Sequence, residues 1–234
     1  MHDTKLSFHL ASTAFEMHLL PFLVDSSYSF FMHASLLFYT FSFALVASAL
    51  LISYLVGRKW GEAGRKAAHV VLSFWIFIPR YFQNLPVYVL LSGPFLFFFI
   101  NLFSSRIPLA RFLFKGERTL GLALFPLSLF FIVLLASTGI LDWNDAIATS
   151  LLMGIPDAMA AVSGRVLGRH YAFGKSIEGS LFFFLSSIPI LLSYGLPLYL
   201  FLSLALSVVE LLSPGGWDNL TVPFSFIILL KVFS

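Results

Sequence analysis

Cysteine is absent from the sequence. Its absence excludes disulfides, thiolate nucleophiles and Cys-ligated zinc or iron–sulfur centres. Charge is scarce as well. Asp, Glu, Lys and Arg make up 11% of the residues, against about 25% in an ordinary soluble domain. So few charges cannot cover a globular surface in water, and lipid is expected to be part of the solvent. Long basic runs are missing and the formal net charge is only +3, so nucleic acid is not an expected partner. A clean secretory leader is not visible either: Asp3, His9 and Glu16 interrupt the stretch where its apolar core would sit. What the chain has in quantity is apolar surface, 59% hydrophobic residues with 29 Phe among them, and a mean hydropathy of +0.94.

These apolar residues fall into runs. Spans are expected at 34–56, 67–78 (ended by Pro79), 85–103, 119–141, 147–163, 181–194, 197–212 and 222–233. The run at 147–163 is interrupted by Gly154, Pro156 and Asp157, and a tight turn at Gly195 separates the next two. Upstream, Lys5, His9, Ser12 and Glu16 recur at helical spacing, which reads as an amphipathic helix in the membrane interface or as a poor first span. The expected fold is therefore all-α: a polytopic integral membrane bundle of about seven or eight transmembrane helices. Residues 1–30 form the N-terminal segment and residues 31–234 a single transmembrane domain.

The loops alternate in charge. Arg58, Lys59, Arg65 and Lys66 share one, Arg106, Arg111, Lys115 and Arg118 the next but one, and Arg165, Arg169 and Lys175 a third. Arg80, then Asp142 and Asp145, then the uncharged Gly195 turn occupy the connections between them. The excess of Lys and Arg assigns the three basic loops to the cytoplasm, and the loop carrying Asp218 and Asn219 falls on the same face.

Several ionisable residues stand out against this background. Asp157 lies inside an apolar run, where a carboxylate is costly unless paired, metal-bound or hydrated. Pro156 removes a backbone donor and is expected to disturb the helix there. Arg165 and Arg169 share a helix face, as do Gly164 and Gly168, so the segment reads either as a phosphate cradle or as close helix packing with cytoplasmic arginines. Gly174-Lys175-Ser176 resembles the end of a P-loop, but the spacing from Gly168 is wrong and no strand is expected before it, so a Walker fold is rejected. Lys175, Ser176, Glu178 and Gly179 still suit phosphate and metal. Glu210, Asp218 and Asn219 supply oxygen ligands of the kind Mg²⁺ takes, with ordinary helix capping as the structural alternative. Arg65, Lys66 and His69 begin the short second span, with Arg65 and His69 on one face, and Arg118 begins another. Asn219-Leu220-Thr221 fits a glycosylation sequon, but on the cytoplasmic face it is chance. Cations for phosphate, oxygens for Mg²⁺ and a carboxylate near an attacking hydroxyl together form the inventory of phosphoryl transfer.

The stretches GRKAAH (64–69), RTLGLALFPLSL (118–129), PDAMAAVSGRVLGR (156–169), GKSIEGS (174–180) and Glu210 with DNLTVP (218–223) occur in the order seen in polyprenol kinases. The chain resembles that family, which includes phytol kinase, dolichol kinase and CTP-dependent diacylglycerol kinase. The resemblance implies transfer of the terminal phosphate of a nucleoside triphosphate, commonly CTP with ATP as the alternative, to the hydroxyl of a membrane-embedded alcohol. It implies that Asp157, Lys175, Glu178, Asp218 and Asn219 surround the nucleotide and Mg²⁺. Pro156 stands where the family usually has Gly, which changes the backbone before the carboxylate. A phosphatidate cytidylyltransferase-like enzyme and a small ion-coupled transporter are the competing readings.

Overall fold

The computed structural model describes residues 3–61, 63–103 and 119–233, with side chains over 29–61, 63–103 and 121–233. Among the described residues the chain is helices joined by short connections, with one short hairpin. The elements are α1 (Asp3–Trp60), α2 (Ala63–Ser73) with a 3-10 turn (Phe74–Ile76), α3 (Phe77–Tyr81), α4 (Val87–Leu102) and α5 (Thr119–Ser137). They continue with α6 (Trp143–Leu167), the strands β1 (Tyr171–Ala172) and β2 (Lys175–Ser176), and α7 (Ile177–Leu191) with a 3-10 turn (Leu192–Tyr194). The last two are α8 (Leu198–Leu212) and α9 (Asp218–Phe233). Two compact units result. Met1–Thr40 is the first, its described residues 3–40 all in α1; Phe41–Ser234 is the second and holds the polar residues of the candidate site.

Three helices are long and apolar enough to cross a membrane: Ser29–Trp60, Trp143–Leu167 and Ile177–Tyr194. Of their apolar windows, 67% is buried in α6 against 11% and 28% in the other two. So α6 is the interior helix, and α2, α5, α7 and α9 pack against it. Small residues make this crowding feasible. A Cβ added at Gly154 would lie 2.4 Å from Ser73 Oγ of α2, and one at Gly179 of α7 would lie 2.8 Å from Ala160 O of α6. Ser150 Oγ also donates to Ser73 O at 2.8 Å. Apolar packing then closes the second unit around Leu152, Phe183, Leu202, Leu206 and Phe226.

The helices alternate in direction. Lys66 meets Asp157 and Ser73 meets Ser150, so α2 runs antiparallel to α6. Asn101 donates to Leu122 O and Phe95 meets Phe130, so α4 and α5 are antiparallel as well. One end of the unit collects the starts of α2, α5 and α9, the hairpin and the end of α8. The other collects residues 82–86, 136–145, 194–198 and 230–233.

Four sequence expectations differ from this picture. Pro79 does not end the second span: it lies in the first turn of α3, where its missing N–H costs nothing because that donor has no intrahelical partner. Pro156 does not break α6, which stays helical through it because neighbours on several sides hold the backbone in place. Residues 5–24 and 34–56 belong to one helix rather than two segments. A strand pair does flank Gly174, but it is an antiparallel hairpin of two residues per strand, with Tyr171 opposite Ser176 and Ala172 opposite Lys175.

Candidate functional site

The polar end of the second unit contains two ion-pair centres, one buried and one partly buried. In the first, Lys66 Nζ of α2 donates to Asp157 Oδ2 of α6 at 2.5 Å, with each side chain 8% exposed. The pair answers the cost of burying a carboxylate. Burial makes it unforgiving: loss of one partner strands the other charge.

In the second centre, Lys175 Nζ bridges two carboxylates, Glu210 Oε1 at 2.6 Å and Asp218 Oδ2 at 2.8 Å. The hairpin makes this reach possible. Its two loop residues, Phe173 and Gly174, both have positive φ (53° and 84°), the conformation that matches strand twist in a two-residue turn. Lys175 follows directly and projects towards the end of α8 and the start of α9. Ser180 Oγ, one turn into α7, holds the second oxygen of Glu210 at 2.9 Å. Burial works against the Lys175 charge, but Asp218 and Glu210 outweigh it and hold its pKa above the usual lysine value.

Between the two centres lies the face of α5 formed by Gly121, Phe125 and Ser128, which recur at helical spacing. The His69 ring stacks on Phe125 with centroids 4.5 Å apart. Asn219 Nδ2 donates to Gly121 O at 3.2 Å, and Ser128 Oγ donates to Asn219 O. Gly121 and Gly216 approach so closely that a Cβ at the former would lie 3.1 Å from the latter's Cα. Both partners of Asn219 Nδ2 are carbonyls, Gly121 O and Gly216 O. The amide oxygen therefore points the other way, and Asn219 Oδ1 is buried without a partner, as is His69 Nδ1. Asp218, Lys66 and Arg65 all act electrostatically on His69.

The structure thus brings together Lys66, His69, Asp157, Lys175, Glu210, Asp218 and Asn219. It does not bring Glu178 to them. That carboxylate binds His170 Nδ1 at 2.8 Å and His170 N at 3.2 Å, securing the exposed approach to the hairpin. Ser176 caps α7 by accepting from Gly179 N at 2.9 Å. A Cβ at Gly164 would lie 2.7 Å from Ser176 Oγ, and one at Gly168 would lie 3.0 Å from Ser176 Cβ. These glycines pack against the hairpin and the start of α7. Arg165 and Arg169 are exposed, the former donating to Trp60 O at 3.4 Å, and Arg65 is half-buried. Arg118, with Arg106, Arg111 and Lys115, lies outside the described residues.

Sequence reasoning missed Ser180, Ser128, Phe125 and His170. Ser180 was detectable as the residue one turn after Ser176; the other three carry no local signal, because their partners come from distant segments. Among the described residues, no three His, Asp or Glu side chains converge as a metal set. Glu210 and Asp218 come together only through Lys175. Their oxygens and the unpartnered Asn219 Oδ1 are hard donors of the kind Mg²⁺ takes. Comparison with protein-family models, with curated proteins and with solved structures finds no match.

Proposed function

We propose that the chain is a multi-pass membrane kinase of lipid alcohols, similar to the polyprenol kinases, with its site on the cytoplasmic face. One observation carries the proposal. Five charged side chains from positions 66 to 218, four of them buried and Lys175 partly so, gather at one end of a helical unit, in two centres that share no residue. Buried charges in an apolar chain are expensive and are kept where function needs them. The same end contains the starts of α2 and α9 and the hairpin, which carry the motifs resembling that family. In this reading α1, α2 with α3, and α4 to α9 each cross once, giving about eight crossings. The site and the basic loops then fall on one side.

The acceptor is an isoprenoid alcohol (phytol, geranylgeraniol, farnesol or a polyprenol such as dolichol), and the donor is CTP. The tail lies among the Phe-rich helices and the hydroxyl reaches the polar end. Lys175, together with Arg165 or Arg169, binds phosphate oxygens. Because Lys175 already sits between Glu210 and Asp218, it meets phosphate by exchanging one carboxylate for it. Glu210, Asp218 and Asn219 Oδ1 would hold Mg²⁺, which when bound offsets the charge of the triphosphate. The alcohol oxygen attacks the terminal phosphorus. The new O–P bond forms as the bond from that phosphorus to the bridging oxygen breaks, and the nucleoside diphosphate leaves. The hydroxyl proton passes to Asp157, with Lys66 holding that carboxylate in place. Glu178 has no part in this step: it supports the hairpin that presents Lys175.

Purified protein in detergent with Mg²⁺, CTP labelled in the γ- or the α-phosphate, and the alcohol panel tests the reading. Transfer of γ-label alone to the lipid phase, lost in Lys175→Met, supports the kinase. Transfer of α-label to a phosphatidate acceptor identifies a cytidylyltransferase instead. Absence of transfer to any alcohol from folded protein, with ATP also tried, overturns the proposal.

A further inference from the structure

The end of the unit remote from the ion pairs has an open-sided cavity of about 750 Å³. Asp145 at its wall is separated from Asp157 by about 18 Å of helix at 1.5 Å per residue, so this space is distinct from the kinase site. Its polar lining has charges of both signs. Asp142 and Asp145 come from the start of α6 and Lys231 from the last turn of α9. None of the three pairs with another among the described residues. Asp142 accepts from Asn144 N at 2.7 Å as the N-cap of α6, and Asp145 Oδ1 accepts from Tyr194 O–H at 2.6 Å. Trp143 and Tyr194 also line the cavity. The rest of the wall is apolar, with Ile140, Leu198 and Phe233 in it, and Ile140 and Phe233 continue onto exposed surface at 55% and 53% exposure.

An ammonium and two carboxylates that leave each other unpaired across one cavity are complementary to a ligand with both charges. The carboxylates and aromatic faces suit a primary or quaternary ammonium, and Lys231 suits a phosphate. The apolar wall opening onto exposed hydrophobic surface suits a glycerol backbone and acyl chains. We propose that this cavity binds the phosphate–ammonium headgroup of a zwitterionic phospholipid, on the membrane face opposite the kinase site.

Native mass spectrometry of the detergent-purified protein tests this, with phosphatidylethanolamine, phosphatidylglycerol and soluble phosphoethanolamine titrated separately. Phosphatidylethanolamine is expected to bind about tenfold more tightly than phosphatidylglycerol, which lacks the ammonium, as loss of one charge-assisted contact implies. Asp145→Asn keeps an acceptor for Tyr194, and Asp142→Asn keeps a capping side chain, so both are expected to fold. Each is expected to erase the preference for the ammonium headgroup. Lys231→Gln is expected to weaken both lipids alike. Equal binding of the two lipids by the unaltered protein, or an unchanged preference in both Asp variants, overturns the proposal. Tighter binding of soluble phosphoethanolamine than of the lipid overturns the assignment to a membrane ligand.

Discussion

Lys66 and Asp157 are each other's only ion-pair partner among the described residues, and that exclusivity has consequences for stability. Asp157→Asn leaves a buried ammonium unpaired and is expected to cost about 3–5 kcal/mol. The double variant Lys66→Met with Asp157→Leu removes both charges at similar volume and is expected to recover most of that loss while staying inactive. Thermal unfolding in detergent, read beside the phosphate-transfer assay, separates the two effects. If the double variant is no more stable than the single one, the pair contributes more than mutual neutralisation. Lys175 gives a prediction in pH. Its pKa is raised in the folded protein, so the stability it contributes is fully present below the usual lysine value and is lost as pH rises through the raised one. Unfolding followed from pH 6 upwards is therefore expected to show no fall from this centre until the pH exceeds about 10.4. Lys175→Met removes that alkaline transition. The depth of Asp157 was legible in the sequence, since a carboxylate in an apolar run needs a partner. Which cation it takes was not, because Lys66 stands 91 positions away.

At the scale of elements, two features rest on the absence of a side chain. Gly154→Ala would place a methyl 2.4 Å from Ser73 Oγ and 3.0 Å from His69 O. It is expected to destabilise by about 1–3 kcal/mol through overpacking, and to weaken the Lys66–Asp157 contact one turn away. Adding Ser73→Gly removes the nearer clash and is expected to restore most of the stability in the same unfolding measurement. The hairpin is the second feature. Gly174 has φ 84°, a backbone conformation that a β-branched residue adopts only under strain. Gly174→Val is expected to displace Lys175, reducing phosphate transfer by an order of magnitude or more while thermal stability falls by only about 1–3 kcal/mol. Equal losses of activity in Gly174→Val and in a conservative exposed change such as Tyr171→Phe would argue against a positioning role. The existence of the helices follows from long apolar runs, and their observed bounds stay close to the expected ones from Val87 to Leu212. The hairpin escaped notice because two residues per strand are too few to show any alternation, and Glu178 was assigned to the metal because its partner His170 carries no pattern of its own.

For the molecule as a whole, the absence of cysteine becomes a tool. Single cysteines at Val166, beside the ion-pair end, and at Leu196, beside the cavity, occupy positions that are 74% and 68% exposed. In sealed vesicles of one orientation, a membrane-impermeant thiol reagent is expected to label one from outside and the other only after permeabilisation. Labelling of both from the same side would reject the alternating topology. The sequence by itself determined the helical class, the long apolar runs and the set of costly polar residues, because these depend on composition and on local patterns. Only the tertiary structure decided which polar residues meet. It put Lys66 with Asp157, set Lys175 between Glu210 and Asp218, left Glu178 apart, and gathered Asp142, Asp145 and Lys231 around a separate cavity. Such pairings depend on which faces of antiparallel helices come together. Those faces are chosen by close contacts at Gly121, Gly154 and Gly179, between segments far apart in the chain.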